Sequence, residues 1–141
     1  MDKIRHNLYL GDKHDARLIY ILKSPITAIL NVAEELATEH HRGVISVKSA
    51  MRDKADDAII KTANIVKDLQ NLISQGHTVL VHCKQGRSRS PHVIATYLSI
   101  AENKPYEEIY DEIRKIRTCV LAYSMGQEIF NKHGNIKCIY P

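Results

Sequence analysis

Hydrophobic positions along this chain follow two alternating rhythms. Ile26 to Val32 is a nearly continuous apolar run, and Gly43 to Val47 and Thr78 to Val81 are two more. Short runs rich in β-branched residues predict strands covered on both faces. Leu8-Tyr9-Leu10 followed by Gly11 reads as a further short strand with a turn. Asp12 is set to cap a helix from about Lys13 to Lys23, ended by Ser24-Pro25. The longest helical pattern runs from about Asp56 to Ser74, where Ile59, Ala63, Val66, Leu69 and Ile73 form one stripe, and Gly76 closes it. Three more helices are predicted at Ser88 to Ala101, at Tyr106 to Ile116 behind Pro105, and at Leu121 to Lys132. Ile136 to Tyr140 reads as a tail strand.

Strands alternating with helices predict an α/β fold with a mainly parallel sheet. No repeat, low-complexity tract or Pro/Gly/Ser-rich linker divides the chain, so residues 1–141 read as a single domain. The composition, 44% hydrophobic and 26% charged, is that of a folded domain rather than a disordered one. A net charge of +4 favours anionic ligands but is too small, and too evenly spread, to indicate nucleic acid. Three cysteines, Cys83, Cys119 and Cys138, match no zinc spacing. Met1 to His6 lacks the apolar core of a secretory signal, and no apolar run approaches the ~18 residues of a membrane helix. The expectation is a soluble intracellular, cytoplasmic protein with free thiols.

The informative segment is Val81-His82-Cys83-Lys84-Gln85-Gly86-Arg87-Ser88-Arg89-Ser90-Pro91, where a buried strand gives way to a helix. Unpaired backbone N–H groups there converge on an anion, and the helix dipole adds positive potential. Gly86 permits the positive φ that curls the loop, so that residues 84–89 can present amides to a phosphate. Cys83 at the loop entrance gains from these amides and from Arg89, which favours the thiolate nucleophile. Arg89, six positions on, can hold two phosphoryl oxygens with its planar fork. The Ser90 hydroxyl can donate to the sulfur when it leaves. Asn31, at the neighbouring strand end, is placed to steady the loop.

This segment resembles the signature loop of dual-specificity phosphatases, within the cysteine-based protein tyrosine phosphatases. The likeness extends to Asn7–Asp12, Ile29–Glu35, Ala95–Leu98 and Ile113–Arg117, and so over about Asn7 to Lys132. The resemblance implies a twisted sheet with helices on both sides, a phosphocysteine intermediate on Cys83, a protonated aspartate as general acid, and no metal or other cofactor. It also implies that His82 sets the loop by hydrogen bonding beneath the cysteine. In the family the acid lies about thirty residues before the cysteine. Here the usual strand-then-acid pattern is broken: Val44-Ile45-Ser46-Val47 is followed by Lys48-Ser49-Ala50-Met51-Arg52 before Asp53, 30 positions upstream of Cys83. Asp53 is the first choice, with Asp56 and Asp57 as alternatives better suited to start a helix.

The other histidines (His6, His14, His40, His41, His77, His92 and His133) read as surface or capping residues with no metal-site spacing. Cys119 and Cys138 read as inert thiols, with a redox partnership to Cys83 open. The expected activity is removal of phosphate from phosphotyrosine, and from phosphoserine or phosphothreonine, in proteins. Phosphatase action on RNA 5′-phosphates or phosphoinositides is the alternative, kept by Lys48, Arg52, Lys54, Lys84 and Arg87 near the expected mouth. A catalytically weak phosphoprotein-binding adaptor is another. Sulfur-transfer and arsenate-reducing enzymes share the Cys-x5-Arg loop, but not the likeness at Asn7–Asp12 and Ile29–Glu35.

Overall fold

A computed structural model describes residues 1–21 and 23–118. The helix expected at Leu121 to Lys132, the tail strand at Ile136 to Tyr140, and Cys119, Cys138 and His133 lie outside the described residues. The elements in order are β1 (Asp2–Arg5), β2 (Leu8–Gly11), α1 (Lys13–Leu18), β3 (Ala28–Ala33), β4 (Ile45–Met51), α2 (Ala55–Ser74), β5 (Val79–His82), α3 (Arg89–Glu102) and α4 (Tyr106–Ile116). One five-stranded sheet has the order β1-β2-β5-β3-β4. The pairs β2–β5, β5–β3 and β3–β4 are parallel, and β1 is antiparallel to β2.

The period-two rule sorts the strand side chains between two cores. Leu8, Leu10, Ala28, Leu30, Val32, Val79 and Val81 join Val66 and Leu69 of α2, Val93 and Ile94 of α3, and Ile109 and Ile113 of α4. The alternate positions Ile29 and Leu80 face the other way, with Ala16 and Ile19 of the α1 segment and Ile26. Central β3 and β5 are buried along their whole length. The register aligns Gly11 and Asn31 with His82, and Ala33 with Met51. All four parallel strands therefore end on one side, where an open α/β sheet forms its crevice.

The strand β1 was not anticipated, because Asp-Lys-Ile-Arg holds a single apolar residue. Arg5 fastens it by bonding Glu102 at 2.9 Å and Glu112 at 2.7 Å, from α3 and α4. Instead of being covered on both faces, β4 is an edge strand of mixed exposure. The helix α1 stops at Leu18 rather than Lys23, which has φ +47°. In α2 the buried line runs through Ala58, Thr62, Ile65, Leu69 and Leu72, leaving Ile59, Ala63 and Ile73 at its margins. Gly76, at φ +89°, ends that helix in a Schellman motif: its N–H bonds Ile73 O at 3.0 Å and that of His77 bonds Leu72 O at 3.2 Å.

His92 is the largest correction: it is fully buried rather than on the surface. It sits on α3, which is covered on nearly every side, and it links the two flanking helices. Thr62 Oγ1 donates to Ala58 O at 2.6 Å, so it accepts from His92 Nε2 at 3.1 Å, and the Tyr106 hydroxyl donates to Nδ1 at 3.0 Å. Burial pushes the His92 ring down to about 4. A folded-state value below the ordinary 6.5 means that the unfolded chain binds the proton first. Its stabilising contribution is complete above about pH 6.5 and declines as pH falls to about 4. Denaturant melts across this range should show a falling unfolding free energy in wild type, and a shallower decline in His92→Gln, which keeps a donor and an acceptor without titrating. An unchanged slope in the variant would contradict a buried neutral ring.

Candidate active site

The strand β5 ends at His82 and α3 begins at Arg89, leaving residues 83–88 as the connecting loop. Three of its carbonyls are taken up from outside. Lys84 O accepts the Lys13 N–H at 3.2 Å, while Gln85 O and Gly86 O accept from the Arg117 guanidinium at 3.1 and 2.9 Å. In a planar trans peptide the carbonyl and the following N–H point oppositely, so these bonds turn the next amides toward the loop centre. The Gly86 N–H indeed points to Cys83 Sγ, at 3.2 Å. Gly86 has φ +67°, and a Cβ there would lie 2.7 Å from Gly11 O and from the Arg117 guanidinium. The glycine is thus required both by conformation and by close approach.

Cys83 is buried at the end of this turn, and its sulfur also lies 3.1 Å from the fully buried Ser90 Oγ. A thiolate in this position has two donors already directed at it. His82 is buried behind the cysteine, its Nδ1–H donating to Cys83 O at 3.2 Å, and burial lowers its pKa from the ordinary value.

Arg89 is 4% exposed, and a buried guanidinium requires anionic partners. It finds Glu35, which sequence reasoning did not single out. Arg89 Nη1 donates to Glu35 Oε2 at 2.6 Å and to Met51 O at 3.1 Å, and Nη2 donates to Glu35 Oε1. These bonds from Arg89 hold the Glu35 carboxyl down to about 2. Arg89 Nε is buried without a hydrogen-bond partner among the described residues. A buried N–H left unmatched is costly, and an oxyanion in the cleft would satisfy it. The available clue to Glu35 was a glutamate at the end of a strand neighbouring the loop, but only the fold brings together residues 54 positions apart.

Asn31 does not hold the phosphate loop as expected. Its Nδ2 donates to Leu36 O and its Oδ1 accepts the Ala33 N–H, each at 3.0 Å. It braces the turn that carries Glu35.

Asp53 and Ser88 meet across the cleft mouth, the Ser88 hydroxyl donating to Asp53 Oδ1 at 2.9 Å. The cleft, about 330 Å³, is lined by Glu35, Asp53, Cys83, Lys84, Gln85, Arg87, Ser88 and Arg89. Neither alternative acid lines it. Asp57 is buried in the first turn of α2, with its pKa lowered by the Arg52 backbone N–H at 2.6 Å, and Asp56 accepts the Asp57 N–H at 2.9 Å. Of the five basic residues expected near the mouth, Lys84 and Arg87 line the cleft. Lys48 instead donates to Glu34 O at 2.8 Å and Leu36 O at 2.7 Å, and Arg52 pairs with Asp57 at 3.6 Å. Among the described residues, no group of three or more His, Cys, Asp and Glu side chains is arranged to hold a metal.

The family model described as dual specificity phosphatase, catalytic domain, matches residues 8–128. Human dual specificity protein phosphatase 5 is 32% identical over 125 residues, covering 80% of this chain and 30% of that protein. Rat dual specificity protein phosphatase 12 is 29% identical over 120 residues, covering 82% of this chain and 35% of that one. The chain thus spans about a third of the length of these curated relatives. Among solved structures, human DUSP28 superposes with a TM-score of 0.80 at 19% identity, covering 95% of this chain and 98% of that chain. PTPMT1 gives 0.75 at 25%, covering 97% and 96%. With the family model matching residues 8–128, the chain belongs to the dual specificity phosphatase catalytic domain family.

Proposed function

We propose that this chain is a cysteine-dependent protein phosphatase that removes phosphate from phosphotyrosine, and from phosphoserine and phosphothreonine, through a phosphocysteine intermediate. One observation carries the reading. The sulfur of Cys83 receives the Gly86 N–H and contacts the Ser90 hydroxyl in a cleft also lined by Asp53 and Arg89. In the first step the Cys83 thiolate attacks phosphorus as the bond to the leaving oxygen breaks, and Asp53 in its acid form gives that oxygen a proton. Loop amides and Arg89 bind the equatorial oxygens. In the second step the Asp53 carboxylate takes a proton from water, whose oxygen displaces the sulfur, and the Ser90 hydroxyl supports the departing thiolate.

Glu35 acts through Arg89 as a positioning residue, fixing the plane of the guanidinium. Residues 1–141 are read as one catalytic domain. Its partners in this reading are phosphorylated proteins. No helix among the described residues is long and apolar enough to cross a membrane. A catalytic free thiol suits a reducing intracellular compartment, which supports a cytoplasmic setting.

Turnover of p-nitrophenyl phosphate and of a phosphotyrosine peptide tests the proposal. Cys83→Ser should abolish both, and Asp53→Asn should reduce peptide turnover about 10²–10³-fold, the scale of a general acid. Full activity in Cys83→Ser would sink the enzyme reading, and full activity in Asp53→Asn would remove Asp53 from its role. Glu35→Gln should lower kcat/KM about tenfold, less than loss of a direct transition-state donor. Its stability gap to wild type should also depend on pH. The Glu35 carboxyl sits at about 2 rather than 4.5, so the contribution is present above pH 4.5 and lost as pH falls through about 2. Thermal melts should therefore show the gap narrowing over that interval.

A further inference from the structure

Arg52, Asp53 and Lys54 are three consecutive exposed residues, and none is apolar. The turn that bears the proposed general acid therefore has no packed side chain of its own, and hydrogen bonds must define its shape. Lys54 N–H donates to Arg52 O at 2.8 Å, closing a three-residue turn with Asp53 at its apex. On the strand side, Met51 O accepts the Glu34 N–H and Arg89 Nη1, both at 3.1 Å. On the helix side, Lys54 O accepts the Ala58 N–H at 3.0 Å.

The Arg52 N–H is held differently, by a side chain from beyond the turn. Asp57, the third residue of α2, reaches back so that its Oδ2 accepts this N–H at 2.6 Å. Asp57 is buried, with the Lys61 ammonium at 3.4 Å and the Arg52 guanidinium at 3.6 Å. The bond from the Arg52 N–H lowers its pKa, so the carboxylate stays ionised while Asp53 exchanges a proton. An aspartate in a first helical turn is favoured by the dipole wherever it occurs, but that stabilisation requires no contact with Arg52.

We infer that Asp57 is a positioning residue for the general acid: by holding the Arg52 N–H it fixes the turn that keeps the Asp53 carboxyl at the cleft beside Ser88. The inference rests on the phosphatase reading, with Asp53 as its acid. Asp57 does not line the cleft and acts through the backbone alone. Its bond closes the side of the turn that β4, an edge strand, leaves without a neighbouring strand. The same turn is tied through Met51 O to Arg89, so the acid and the phosphate clamp share one support.

The test uses aryl phosphates graded by the acidity of the phenol released, since a poor leaving group depends most on the acid. In wild type kcat/KM should vary little along the series, and in Asp53→Asn it should fall steeply toward the weakly acidic phenols. Asp57→Ala should lie between, losing about tenfold for a phenol as weak as tyrosine and about twofold or less for p-nitrophenol, the mark of a misplaced acid. Asp57→Asn keeps an oxygen to accept the Arg52 N–H and should restore most of the shallow slope. In the Asp53→Asn background, Asp57→Ala should add no further slope. Should Asp57→Ala not fold, Asp57→Ser, too short to reach the Arg52 N–H, takes its place with the same expectation. A uniform loss across the series, or added slope in the Asp53→Asn background, would overturn the positioning role and leave Asp57 as a support of the helix end only. A shallow series in Asp53→Asn would remove the acid itself, and the inference with it. Failure of wild type to hydrolyse any aryl phosphate would instead strike the phosphatase reading.

Discussion

The orientation of three peptide planes governs this molecule. With the carbonyls of Lys84, Gln85 and Gly86 drawn outward by Lys13 and Arg117, the loop turns its amides inward, and the Gly86 N–H reaches the sulfur of Cys83. A loop of polar backbone at the end of a buried strand would otherwise be a liability, since unpaired buried peptide groups cost stability. Here the outward half is satisfied by protein, and on the inward side the Gly86 N–H meets the sulfur of Cys83. Packing at Gly86 makes the arrangement intolerant: Gly11 and Arg117 occupy the space that any side chain would need.

A comparable division of labour applies to Arg89. Burying a guanidinium is favourable only when its donors are matched, and Glu35 with Met51 O matches one edge of the fork. The pair fixes the plane of the guanidinium while Nε stays without a protein partner among the described residues. Asn31 belongs to the same support, one step further out, because it braces the turn bearing Glu35. The chain of contacts runs from strand end to turn to carboxylate to guanidinium. Each member is ordinary, and the combination sets the geometry of the cleft.

Much of the helical scaffold also serves this loop. The helix α3 starts with Arg89 and Ser90, and its next turn carries His92, hydrogen-bonded to both α2 and α4. A helix so enclosed has little freedom to rotate, so the Ser90 hydroxyl remains at the sulfur. On the opposite side, α1 contributes through its first residue, Lys13, whose backbone N–H holds the loop at Lys84 O.

Read alone, the sequence determined what depends on neighbours along the chain. Period-two and period-four patterns located β2, β3, β5, α2, α3 and α4 to within a few residues, and the Cys83–Ser90 segment announced its chemistry because its members are contiguous in one strand–loop–helix unit. Asp53 was singled out only through the family resemblance, and the fold sets it against Ser88 at the cleft. Only the tertiary structure decided which distant groups meet. Glu35 on Arg89, Arg117 on the back of the loop, Arg5 holding β1, and His92 between two helices all join residues whose separation in sequence carries no local signal. Burial is a property of the packed sheet and helices, so a histidine, an arginine or a glutamate looks like a surface residue until the strands that surround it are in place.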